Sequence, residues 1–169
     1  MARSSEESNT LITVLGVATI ASAAAFALWL YGPLSPYFTW ADVLKTHEGV
    51  DNNPSLTERL RLRYAALQLT RLYRDIGPFV VTSGYRSAAL EARVSGYQGE
   101  SPHRGWSLDI VPTTMSMDSW FNKLVKNGSG YSIYQAINER NHIHIDVRYG
   151  KQSIGFFLEP TEGKYNRIA

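Results

Sequence analysis

Between Asn141 and Val147 the sequence alternates strictly, with His142, His144 and Asp146 at one parity and Ile143, Ile145 and Val147 at the other. Successive side chains of a strand point to opposite faces, so the segment reads as a strand with its isoleucine face in a core. The opposite face then carries two imidazoles and a carboxylate in a row. These are the ligands a catalytic zinc takes when thiolates are absent, and the chain has no Cys. The plainer alternative is the polar outer face of an edge strand.

With 169 residues, 44% of them hydrophobic and 19% charged, the chain is too apolar for disorder and too short for a large multidomain enzyme. The lack of Cys excludes disulfide staples, thiolate-bound zinc and a Cys nucleophile. A net charge of +2 gives no case for a nucleic-acid partner. Residues 8–41 hold no charged side chain, and residues 11–32 are the most apolar part. About 20 such residues cross a hydrocarbon layer of about 30 Å. Small residues there (Gly16, Ala21, Ala25) would admit a second helix, and Trp29, Tyr31 and Trp40 suit the headgroup region. Ala23-Ala24-Ala25 has the small-residue form of a signal cleavage site, but Arg3 is offset by Glu6 and Glu7. A retained single-pass anchor is the favoured reading over a cleaved signal. The expected organisation is a tail (1–10), an anchor (11–32), a stiff Pro33–Pro36 linker, one domain (37–148) and a C-terminal tail (149–169) of ambiguous structure.

Within the domain the pattern is α+β. Ser55 and Glu58 have capping-box spacing and open a long helix closed at Gly77; Leu60, Leu67, Leu69 and Leu72 supply its expected apolar face. Strands are expected at 78–82 and 107–111, with a small helix at 88–94 between them. Asp118 is expected to cap a helix through Leu124 that Gly128-Ser129-Gly130 ends. Residues 132–136 and 142–148 then form a hairpin, giving a small antiparallel sheet with flanking helices.

Two further pieces carry chemistry. In Ser101-Pro102-His103-Arg104-Gly105-Trp106-Ser107-Leu108-Asp109, a loop His is followed by an Asp on the next strand, at the parity away from Leu108 and Ile110. Together with the histidine strand, His103 and Asp109 make a His, Asp, His set, three protein ligands with a fourth position open. In Ser83-Gly84-Tyr85-Arg86, a turn after a strand projects Arg86, whose fork of donors suits a carboxylate or a developing oxyanion. His47, between Lys45 and Glu48, reads as solvated surface, and Asp146 as a supporting carboxylate.

In this order the three pieces resemble the zinc peptidases of bacterial peptidoglycan: D-alanyl-D-alanine carboxypeptidases, dipeptidases and phage L-alanyl-D-glutamate endopeptidases. Their pattern is a Ser-Gly-Tyr-Arg turn, then Ser-x-His-x-x-Gly-x-Ala-x-Asp, then a late His on a strand. The resemblance implies a small Hedgehog-type α+β fold and a zinc held by His103, Asp109 and His144. It also implies charge stabilisation by Arg86 and a substrate surface including Ser83, Tyr85, Ser101 and Trp106. The sequence departs from the pattern in two places. His103 and Asp109 are six positions apart rather than seven, with Ser107 where Ala is usual, so the loop must tighten for Asp109 to reach a metal. Asn141 stands where relatives often carry an acid. His142 is the preferred acid-base group; the other arrangement makes His142 a ligand and Glu139 the base.

The resulting expectation is a membrane-anchored zinc peptidase cutting peptidoglycan stem or cross-link peptides on the periplasmic side. The resemblance also admits a phage lysis or entry enzyme with virion or lysis-complex partners. The rival is an inactive anchored domain that binds wall peptide or a structural partner.

Overall fold

The computed structural model describes residues 22–46, 49–96, 98–99, 101–150, 153–161 and 164–168. Contacts divide the chain into two compact units, Met1–Pro33 and Leu34–Ala169. In the first, residues 22–31 are helical, and Phe26, Leu28, Trp29 and Tyr31 are exposed. Among the described residues no helix is long and apolar enough to cross a membrane. Residues 11–21 of the expected anchor, and His47, lie outside them.

The second unit contains α1 (Trp40–Leu44), α2 (Leu56–Asp75), β1 (Phe79–Ser83), α3 (Ala88–Ser95), β2 (Ser107–Pro112), α4 (Met117–Asn127), a 3-10 turn (Gly128–Gly130), β3 (Ile133–Asn138), β4 (Ile143–Val147), β5 (Gly155–Thr161) and β6 (Lys164–Arg167). The capping box at α2 is present, with the Ser55 hydroxyl accepting from the Glu58 N–H and the Glu58 carboxylate accepting from the Ser55 N–H. Helix α4 starts earlier than expected: Ser116, not Asp118, is its cap. Its hydroxyl accepts from the Ser119 N–H at 3.2 Å, while Asp118 instead accepts from the Asn138 side chain at 2.9 Å. Helix α1 has no counterpart in the sequence reading. It rests on its own capping box between Thr39 and Asp42.

The six strands form one sheet in the order β1-β2-β4-β3-β5-β6. All neighbouring pairs are antiparallel except β3 and β5. The sheet is therefore mixed, which corrects the purely antiparallel expectation. The difference arises beyond Arg148, where the ambiguous tail folds back and supplies β5 and β6. β5 pairs parallel to β3 through Gln135 to Asn138.

One face of the sheet is the core. Leu108, Ile110, Ile143, Ile145 and Val147 are buried there with Leu62, Ala65, Ala66, Leu69 and Leu72 of α2 and Trp120, Phe121 and Leu124 of α4. Of the predicted apolar face of α2, Leu69 and Leu72 are buried, whereas Leu60 and Leu67 are exposed. With this face closed by two helices, the same alternation presents Asp109 and His144 on the other.

Candidate metal centre

Register brings the first two groups together. β2 and β4 pair with Asp109 directly opposite His144, and directly opposed side chains on one face lie about 5 Å apart at Cβ. The His144 Nδ1–H donates to Asp109 Oδ1 at 2.8 Å. His103 arrives from the loop before β2, and its Nε2 lies 3.7 Å from the other oxygen, Asp109 Oδ2. The His103 and His144 rings are 5.2 Å apart, inclined at 66°. One ligand-capable atom from each of His103, Asp109 and His144 lies within 4.8 Å of the other two.

The backbone fixes how His103 presents itself. Its Nδ1–H donates to the Gly84 carbonyl at 2.8 Å, so Nε2 keeps its lone pair toward Asp109. Gly84 must be glycine because its backbone runs against α1; a Cβ there would sit 2.5 Å from the Val43 carbonyl oxygen. The one-residue-short loop is closed by backbone bonds from Arg104 N–H to Ser101, and from Trp106 and Ser107 N–H to Pro102. Gly105, at φ +103°, makes that tightening available in a region that L side chains rarely occupy. Asp109 therefore reaches His103 despite the missing residue.

Burial pushes the His103 pKa down to about 4, against the opposing pull of Asp109. The ring is thus neutral and able to ligate near pH 7. Burial alone would raise Asp109, but the His144 hydrogen bond and the charges of His103 and His144 hold it below the usual carboxylate range. Two imidazoles and an ionised carboxylate, all mostly buried, fit a divalent cation of zinc type.

The other predicted groups divide into two sets. Arg86 joins the centre: its Nη2 lies 3.6 Å from Asp109 Oδ2 and donates to Ser83 Oγ at 3.0 Å. His142 lies at the entrance to β4. Its Nε2 is 3.2 Å from Glu139 Oε2 and 3.7 Å from Asp109 Oδ1, and its Nδ1–H donates to Asn141 Oδ1. Asn141, where relatives often have an acid, here orients an imidazole. Asp146 is fully buried and is held by Arg148 at 2.9 Å.

Tyr85, Ser101 and Trp106, expected on the substrate surface, each have identifiable partners. Tyr85 is 2% exposed and its hydroxyl donates to Glu58 at 2.9 Å. The Ser101 hydroxyl, also buried, donates to Glu91 at 3.2 Å and accepts from the His103 N–H at 3.2 Å. Trp106 lies under Arg61 of α2, 5.1 Å from guanidinium carbon to ring centroid. Tyr85 also lines a small pocket with Ser83 and Arg86.

Two carboxylates matter here that the sequence reading did not assign to the site. Glu91 of α3 is 5% exposed, and its oxygens meet Arg86 Nη1 at 3.5 Å and the hydroxyls of Ser95 and Ser101. Glu58 caps α2 and also holds both site loops, accepting from Tyr85 beside Arg86 and from Arg104 beside His103. Burial works against its charge, but the Ser55 donors, Arg104 and Tyr85 overcome this and hold its pKa at about 2. The capping-box spacing made Glu58 visible in sequence; its long-range partners had no local signal.

Comparison with known families matches residues 36–146 to the family described as Peptidase M15. No curated protein matches the chain.

Proposed function

The chain belongs to the peptidase M15 family, and from that premise we propose that it is a zinc-dependent peptidase that cuts peptide links of bacterial peptidoglycan. The observation that carries this reading is the convergence of His103, Asp109 and His144 on one point. These three residues would hold the metal. When bound, zinc polarises the scissile carbonyl and brings a water's pKa toward neutrality.

The remaining work falls to the chain's own groups. Arg86, braced by Ser83 and Glu91, is assigned to the oxygen of the scissile carbonyl, where its donors meet developing negative charge. His142 is assigned proton transfer. With Asn141 fixing Nδ1 and Glu139 facing Nε2, the imidazole takes a proton at Nε2 and passes it to the leaving amine. Glu139 stabilises the charged ring during that exchange. This combines the two arrangements left open by the sequence: His142 carries the proton and Glu139 supports it. The periplasmic placement and the N-terminal membrane anchor belong to the same proposal.

Digestion of purified sacculi by the zinc-loaded full chain tests it. New peptide termini that vanish in His144→Ala, and fall by about 10²–10⁴-fold in His142→Ala with zinc retained, are the expected result. Unchanged muropeptides from a zinc-loaded protein would overturn the peptidase reading and leave a domain that binds wall peptide without cutting it, the reading that Asn141 favours.

A further inference from the structure

The outward side of α2 carries an apolar stripe that the core does not use. At the pitch of an α-helix, Leu56, Leu60 and Leu67 fall within about 40° of one another around its axis, and they are 55%, 38% and 59% exposed. Leu62, Leu69 and Leu72, on the opposite side, are fully buried, so the stripe is surplus to the fold. It runs about 16 Å along the helix. Tyr149, 78% exposed, widens it by packing edge-on against Tyr64 of α2, with 5.8 Å between ring centroids.

Arginines border this stripe. Arg71 and Arg74 lie close to its arc and Arg59 flanks it. Two of the three are held flat on rings: the Arg59 guanidinium carbon is 5.2 Å from the Trp40 centroid, and that of Arg71 is 5.1 Å from the Tyr131 centroid. A stacked guanidinium keeps N–H donors along its edge, the geometry that takes phosphate oxygens. Of the carboxylates on α2, Glu58 is buried toward the site loops and Asp75 is paired with Arg74 at 2.9 Å. The exposed side of α2 is therefore leucine and tyrosine rimmed by positive charge.

Such a face has the composition of a surface that rests at the boundary between lipid headgroups and acyl chains. A second copy of the chain is a poorer occupant, because pairing α2 with itself about a two-fold axis sets arginine against arginine. The direction also bears on function. α2 covers the core face of the sheet, and Asp109 and His144 lie on the other. A bilayer beneath α2 leaves the candidate metal centre turned away from it. We propose that the outward face of α2, together with Tyr149, docks on an anionic phospholipid bilayer and so aims the candidate metal centre away from the membrane. A tether alone sets no orientation; this face supplies one.

The chain has no Cys, so single nitroxide labels test this on the full chain in vesicles of phosphatidylcholine, with and without phosphatidylglycerol. Leu60→Cys and Leu67→Cys probe the stripe. Val80→Cys is the control: Val80 is 51% exposed and points away from the core face of β1. In vesicles containing phosphatidylglycerol, the labels at 60 and 67 are expected to be shielded from a nickel chelate present on both sides and open to oxygen, while the label at 80 stays open to the chelate. The readout is local, so membrane attachment elsewhere in the chain does not produce it. Arg59→Gln/Arg71→Gln is expected to shift the docking equilibrium about 30-fold toward the undocked state, about fivefold for each charge near the surface, with zinc content and far-UV circular dichroism unchanged. Labels at 60 and 67 as open to the chelate as the label at 80, equal shielding without phosphatidylglycerol, shielding at 80 as well, or shielding undiminished in the double variant would each overturn the proposal. Shielding with spin–spin broadening that unlabelled chain dilutes away would overturn it too, giving the face to a second copy. Digestion of sacculi decides the peptidase reading separately and leaves this one untouched.

Discussion

Replacing Glu58 by Gln keeps the side chain's shape and removes its charge. In the native protein this carboxylate accepts from the Ser55 N–H at 2.8 Å, the Ser55 hydroxyl at 2.7 Å, the Tyr85 hydroxyl at 2.9 Å and Arg104 Nε at 2.6 Å. Those donors hold its pKa at about 2 rather than the ordinary 4.5, a difference worth about 3 kcal/mol through proton linkage. A lowered carboxylate pKa contributes stability that is complete above the unfolded value. That contribution is lost as the pH falls from 4.5 through 2. Glu58→Gln is therefore expected to be less stable than wild type by about 3 kcal/mol at pH 7, the two converging near pH 2. Urea denaturation followed by tryptophan fluorescence, repeated from pH 7 to pH 2, gives both numbers. A deficit below about 0.5 kcal/mol, the range of ordinary surface substitutions, would refute the reasoning. So would a deficit that stays constant with pH.

Three further outcomes follow from the same geometry. Gly105→Ala forces a side chain into φ +103° with its Cβ 2.9 Å from the Glu58 carbonyl oxygen; a cost of about 1–3 kcal/mol and weakened zinc retention are expected, read by denaturation and metal analysis. Among the described residues the buried Ser107 hydroxyl has no hydrogen-bond partner, so Ser107→Ala is expected to stabilise the fold by about 1 kcal/mol in the same denaturation assay. Glu91→Gln removes the charge that braces Arg86 at 3.5 Å while keeping an acceptor for one of the Ser95 and Ser101 hydroxyls. Peptidase assays are expected to show kcat reduced about tenfold at unchanged zinc content, and a kcat equal to wild type would remove Glu91 from the positioning role.

The parts legible in the sequence were those written in local periodicity and capping. The alternation through Ile143–Val147 gave both the strand and the faces of its side chains, and Ser55 with Glu58 located the start of α2. Order and spacing of the three motifs gave the family before any geometry was known. What stayed hidden depends on long-range pairing. Nothing near Asp109 in the chain says that β2 pairs with β4 in the register that sets it opposite His144. Tyr85 and Ser101 sit in the motifs yet face inward to Glu58 and Glu91, because a motif records that a residue matters and not which way it points. The pairing of β5 with β3 has no hairpin signal because it is parallel, reached by a crossover rather than a tight turn.

The central claim is that His103, Asp109 and His144 share one divalent ion. X-ray absorption at the zinc edge, on the full chain after dialysis against metal-free buffer, addresses it most directly. One tightly held zinc with two imidazoles and a carboxylate oxygen in its coordination sphere, lost on His103→Ala or His144→Ala, is the predicted result. A wild-type protein that retains no zinc, or one whose zinc keeps the same ligands in both variants, would contradict it.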